Sequence, residues 1–171
     1  MTGRSLLLAV ALLAVTPALA QELHYSPEER LDQVDAGLIA TAKTSLDMAA
    51  FALTDKVVIN ALDAAQQRGV VVRIALDPRE HHDFLALGDL ADTVRVKRSG
   101  PLMHLKAYEI DSAVLRTGSA NFSVSGETAQ DNDLVVIRNP ADVAQFEAAF
   151  ERLWQAAEPL IEFGPAIRTF E

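Results

Sequence analysis

Residues 70–76, VVVRIAL, form a nearly continuous apolar run closed by Asp77-Pro78, and a strand of this kind is covered on both faces. Ahead of it, Asp55 is placed to cap a helix that carries Val58, Leu62 and Ala65 on one side. That helix stops at Arg68-Gly69, with the glycine just past its end. Residues 45–53 read as an earlier strand. Strand, helix and buried strand compose a βαβ unit with parallel neighbours and a right-handed crossover. The unit restricts the chain to an α/β architecture.

The remaining pattern fills in around it. Residues 25–42 read as a helix with Ser26 as N-cap, Glu29 completing a capping box, and Leu31, Val34, Leu38 and Ile39 on the apolar face. Residues 81–92 read as a short helix interrupted by Gly88. Strands are expected at 94–97, 102–110, 113–117 and 134–138. Asn139 then caps, and Pro140 opens, a last helix with Val143, Phe146, Phe150, Leu153 and Ala157 at helical spacing. Residues 159–171 show no clear pattern.

The chain has 171 residues, half of them apolar, enough for a single domain with a real core. Residues 1–20 stand apart: Arg4, an apolar run over 6–15, and Pro17 followed by Ala18-Leu19-Ala20 have the layout of a signal peptide cleaved after Ala20. The run is short of the ~20 residues of a membrane span. The mature domain is thus expected at 21–171, secreted or periplasmic, with no stable membrane span. Cysteine is absent, so disulfides and thiolate chemistry are excluded. The net charge of −9 becomes −10 without Arg4, which disfavours a nucleic-acid binder. Against that, Arg95, Lys97, Arg98, Lys106 and Arg116 face only Glu109 and Asp111 within residues 95–116.

That basic stretch contains the chemistry. Residues 104–121, HLKAYEIDSAVLRTGSAN, hold a His-x-Lys, then four residues and an Asp, then six residues and Gly-Ser-x-Asn. Six fixed positions coincide by chance at roughly one start site in tens of millions. The residue types suit phosphate. An imidazole can attack phosphorus or protonate a leaving oxygen near neutral pH. Lys106 adds a positive point charge, Ser119 and Asn121 add neutral donors, and Gly118 lets backbone approach a ligand. On a strand His104 and Lys106 share a face. With a two-residue turn at Asp111-Ser112, positions summing to 223 pair, which sets Ser119 across from His104.

Each residue also has a plainer role to set against this one. His104 could be a satisfied core histidine, and Ser119 and Asn121 ordinary turn residues. Asp111 lies an odd number of positions from Lys106 at the turn, where bonding to backbone is at least as natural as chemistry. The adjacent His81 and His82 with Asp83 fit a solvated helix start better than a metal site, since neighbouring histidines on a helix do not converge on one ion. His24 is expected to be exposed.

These residues resemble the phospholipase D superfamily, whose HKD signature with trailing Gly-Ser-x-Asn is the segment just quoted. The resemblance runs over about 25–154, taking in SLDMAAFALTD (45–55), RGVVVRIALD (68–77) and FERLW (150–154). It is nearest to the Nuc-like branch of small secreted bacterial nucleases with one motif per chain. It implies a single-domain α/β fold with a mixed, largely parallel sheet flanked by helices on both faces. It also implies catalytic His104, Lys106 and Asp111, and phosphate contacts from Lys106, Ser119 and Asn121, with no metal or other cofactor. The family's Glu-Asn pair, whose Glu orients the catalytic histidine, falls here on Asn132-Asp133, so the orienter is sought among Asp133, Asp131 and Glu127. The implied mechanism needs two imidazoles while the chain has one His-x-Lys, which implies a homodimer sharing its site. The implied substrate is nucleic acid, with a phospholipid as the alternative and a non-catalytic binding module as the third reading.

Overall fold

A computed structural model describes residues 21–80 and 87–160. Residues 1–20, where a signal peptide is expected, residues 81–86 with the His81-His82-Asp83 group, and residues 161–171 lie outside the described residues. In chain order the elements are β1 Glu22–Ser26, α1 Leu31–Ala40, β2 Ser45–Ala50, α2 Lys56–Gln67, β3 Val71–Leu76, a 3₁₀ turn Gly88–Thr93, β4 Val94–Lys97, β5 Lys106–Ile110, β6 Val114–Gly118, α3 Val124–Thr128, β7 Asn132–Ile137, α4 Pro140–Ala156 and β8 Ala157–Pro159.

The βαβ unit stands as the sequence implies. Asp55 accepts a hydrogen bond from the Val57 N–H at the start of α2, Gly69 follows its end at φ 92°, and β2 and β3 pair in parallel. The strands form one mixed sheet in the order β1-β7-β6-β5-β2-β3-β4-β8. Parallel pairing is confined to β2–β3 and β3–β4, and the other five pairings are antiparallel. Hairpins and a returning edge strand, rather than further βαβ units, complete the sheet.

Alternation along the central strands assigns the two layers. Leu46, Met48, Ala50, Val72, Ile74 and Leu76 join Ile39 of α1 and Val58, Ile59, Leu62 and Ala65 of α2 in the larger core. The other face offers Ala49, Ala75 and Ala107, small enough for α4 to seat Val143, Phe146 and Phe150 close to the sheet. Helices therefore cover both faces.

Several local expectations change. Residues 25 and 26 are strand: Ser26 pairs with Asn132 and its hydroxyl donates to the Gln130 carbonyl at 2.7 Å, so it caps nothing. The residue before a proline favours extended backbone, and Pro27 delays the helix to Leu31. Glu29 instead bonds the His24 ring at 2.8 Å, leaving that histidine half-buried. The β5–β6 turn has three residues, 111–113, with Asp111 and Ser112 at φ 54° and 53°. Pairs sum to 224 and end at Tyr108↔Arg116. Ser119 is not the cross-strand partner of His104, and His104 precedes β5 rather than lying on it.

Candidate active site

The chain leaves β2 at Phe51, whose N–H donates to the Leu105 carbonyl at 2.8 Å. This bond carries the β2–β5 register, in which Ala50 pairs with Lys106, one residue past the end of β2 and before the start of β5, and fixes the backbone beside His104. The His104 imidazole is exposed, with its ring centroid 4.4 Å from that of Phe51. Lys106 is buried. Its Nζ donates to the His104 carbonyl at 2.9 Å and lies 4.9 Å from the Phe51 centroid. Burial lowers the Lys106 pKa, with the Glu80 charge opposing. Desolvation thus presses on the cation while a carbonyl and a ring quadrupole support it.

Two buried polar groups, both inconspicuous in the sequence, hold this segment. Asp77 follows β3 and accepts from the Met103 N–H at 2.8 Å, while also pairing with Arg79. Burial would raise its carboxyl, yet those bonds hold it at about 2. Arg116 is wholly enclosed and uses every donor it has. Nε and one terminal nitrogen bind Asp35 at 2.9 and 2.7 Å, and that terminal nitrogen also reaches Glu127 at 3.1 Å. The other terminal nitrogen donates to the carbonyls of Lys106 and Ala120 at 2.9 and 3.3 Å. One guanidinium thereby brings the His-x-Lys segment against the Gly-Ser-Ala-Asn loop, which the hairpin register does not. The signal was present in outline, because Asp35 falls on the apolar face of α1 and Arg116 interrupts an apolar strand.

On the loop, Gly118 has φ 145°, and a Cβ there would come within 2.3 Å of the Asp133 carbonyl. The close approach this glycine permits is to β7. Ser119 is exposed; its hydroxyl donates to the Asp133 carboxylate at 2.5 Å and accepts from the Asp133 N–H at 2.9 Å. Asn121 is half-buried, and its Oδ1 has no partner among the described residues.

Asp111 lies at the β5–β6 turn, where its odd spacing from Lys106 places it. Five residue steps along β5, at about 3.3 Å each, separate it from Lys106, the first residue of that strand. Its carboxylate accepts from the N–H groups of Lys43, Thr44 and Ser45 and from the Thr44 hydroxyl at 2.7 to 3.0 Å. Burial works to raise this carboxyl, and the four donors hold it at about 2. It ties the β5–β6 turn to the loop before β2, the backbone-bonding role that its place at the turn allows.

None of the three orienter candidates bonds the His104 ring. Asp133 serves Ser119, Asp131 is exposed beyond it, and Glu127 is buried on Arg116. Burial and the neighbouring Asp35 charge push the Glu127 carboxyl up to about 9, so it is protonated at neutral pH. The basic stretch is likewise absorbed by the fold: Arg116 is buried, Arg98 pairs with Glu158 at 2.5 Å, and Arg95 lies 4.4 Å over the Trp154 ring.

Residues 36–154 match the family described as cardiolipin synthase, PLD-like domain. Mitochondrial cardiolipin hydrolase of Danio rerio is 28% identical over 127 residues, 71% of this chain and 56% of the relative. The Canis lupus familiaris protein of that name is 30% identical over 151 residues, 84% of this chain and 55% of the relative. The chain spans little more than half the length of these curated relatives. Nuc from Salmonella typhimurium, a phospholipase D family member, superposes with a TM-score of 0.75 at 30% identity, covering 81% of this chain and 96% of that one. NucT from Helicobacter pylori shares the fold at 18% identity, with a TM-score of 0.72 and coverage of 82% and 98%. With the motif at residues 104–121 intact and the Nuc fold matched nearly end to end, the chain belongs to the phospholipase D superfamily.

Proposed function

We propose that this chain is a phosphodiesterase, acting as a metal-independent endonuclease with little sequence preference, exported by the leader at 1–20. The observation that carries the reading is the exposed His104 imidazole beside a buried Lys106 ammonium, present once per chain. One nitrogen of His104 attacks phosphorus. The bond to the leaving oxygen breaks, and that oxygen takes a proton from the partner subunit's His104. Water, deprotonated by the same histidine, then attacks the phosphohistidine and the P–N bond breaks. A homodimer supplies both imidazoles across its axis, and two lysines stabilise the equatorial oxygens. The nuclease reading is favoured by the match to Nuc over 96% of that chain.

Phospholipid is the second reading, favoured by exposed Leu102 and Leu105 on either side of His104, exposed Val124 in the next segment, and the acidic net charge. No helix among the described residues is long and apolar enough to cross a membrane. Purified mature protein incubated in EDTA with plasmid and, separately, with cardiolipin vesicles distinguishes the readings. Plasmid cleavage that is undiminished by EDTA and bell-shaped in pH is expected, because one imidazole must be neutral while the other is protonated. Loss of more than ~90% of the rate, restored by a divalent ion, would replace the two-histidine mechanism with a metal-assisted one.

Asp133 bears on the same site. Its charge sits on Ser119, where an incoming phosphate meets it. Asp133→Asn keeps an acceptor for the hydroxyl and removes that repulsion, so KM for a diester is expected to fall about three- to tenfold, with a smaller gain at high salt. A KM that does not move would place the phosphate away from Ser119.

A further inference from the structure

We infer that Phe51 is a positioning residue for His104, orienting the imidazole and supporting the positive charge it gains. The inference rests on the reading of His104 as the nucleophile.

A nucleophilic imidazole has to hold one ring orientation, usually through a hydrogen bond to its second nitrogen. Among the described residues no such bond exists: Asp133, Asp131 and Glu127 are all engaged or placed elsewhere, and Asn132 donates to the Gly126 carbonyl at 2.9 Å. The aromatic neighbour is Phe51, with ring centroids 4.4 Å apart and planes at 58°. Its backbone is locked to the strand carrying the motif through the Leu105 carbonyl, so the ring is presented from a fixed frame. The same ring lies 4.9 Å from the Lys106 ammonium, which in turn bonds the His104 carbonyl. Phe51 therefore touches both groups that act on phosphate. When the imidazole takes a proton or phosphorus, it becomes cationic, and a ring quadrupole in contact with it favours that form.

The experiment compares Phe51→Leu, which keeps apolar bulk without a π face, with Phe51→Tyr, which keeps the ring. Phe51→Leu is expected to lower kcat by about ten- to a hundredfold with KM within about threefold of wild type, and Phe51→Tyr to restore most of that loss. Ring-proton resonances of His104, assigned by their disappearance in His104→Ala, are expected to be displaced by the ring current in wild type and Phe51→Tyr. In Phe51→Leu they move to the positions of an exposed imidazole. Wild-type kcat in Phe51→Leu, equal damage in both variants, or resonances that do not move would each overturn the assignment. Should Phe51→Leu fail to fold, Phe51→Met offers the same contrast with a side chain that adapts to the space. Turnover by His104→Ala would instead overturn the nucleophile, and the resonances would still report whether Phe51 fixes the ring.

Discussion

His104→Ala is expected to lower turnover by about 10⁴-fold or more with the fold unchanged, because the substitution removes the nucleophile from one half-site and the acid and base from the other. The exposed ring bonds no other residue among those described, so little stability goes with it. Lys106→Met is expected to cost about 10²- to 10³-fold in kcat, as removal of a preorganised charge from the transition state does. Its apolar stem lies in a buried position that methionine fills. Steady-state rates on purified, folded variants test both. More than ~1% of the wild-type rate in His104→Ala would move the nucleophile elsewhere.

Arg116→Met should have the largest effect on stability, on the order of 3–5 kcal/mol, because it leaves the Asp35 carboxylate enclosed without its cation and removes the donor that Glu127 accepts from. For a domain of this size that corresponds to a fall in Tm of roughly 10 °C or more. The wild-type cluster also has a pH signature. The Glu127 carboxyl rises from 4.5 to about 9 on folding, first through burial and then through the Asp35 charge. The folded state therefore holds a proton that the unfolded state releases above 4.5. The stability this contributes is complete below about pH 4.5 and is lost as pH rises towards 9. Glu127→Gln keeps a neutral group in place and is expected to flatten that decline in Tm between pH 5 and 9. An unaltered slope would mean that Glu127 folds as a carboxylate.

Much of this was legible in the sequence because the relevant signals are local. Asp55, the apolar residues of α2 and Gly69 mark their helix without help from the rest of the chain, and the run over 70–76 identifies its strand. The motif likewise names His104 and Lys106 through residue type alone. Illegible were the features set by one residue of geometry or by contacts distant in sequence. The β5–β6 turn takes three residues because Asp111 and Ser112 adopt left-handed backbone, and this single added residue cancels the expected pairing of His104 with Ser119. Pro27 turns Ser26 from a helix cap into the end of a strand. Arg116 joins residues ten and 81 positions away in sequence, which no periodicity announces. The basic charges of 95–116 look available in sequence and are largely taken up by Asp35, Glu158 and Trp154 in the fold.

The composite site is tested most directly by mixing wild-type and His104→Ala chains in varied proportion, unfolding them together and refolding so that subunits pair at random. If two intact copies of His104 are needed for turnover, activity follows the square of the wild-type fraction, so an equal mixture gives about a quarter of the wild-type rate. Activity proportional to the wild-type fraction, about half in an equal mixture, would show that one chain carries a complete site and would contradict the shared dimer.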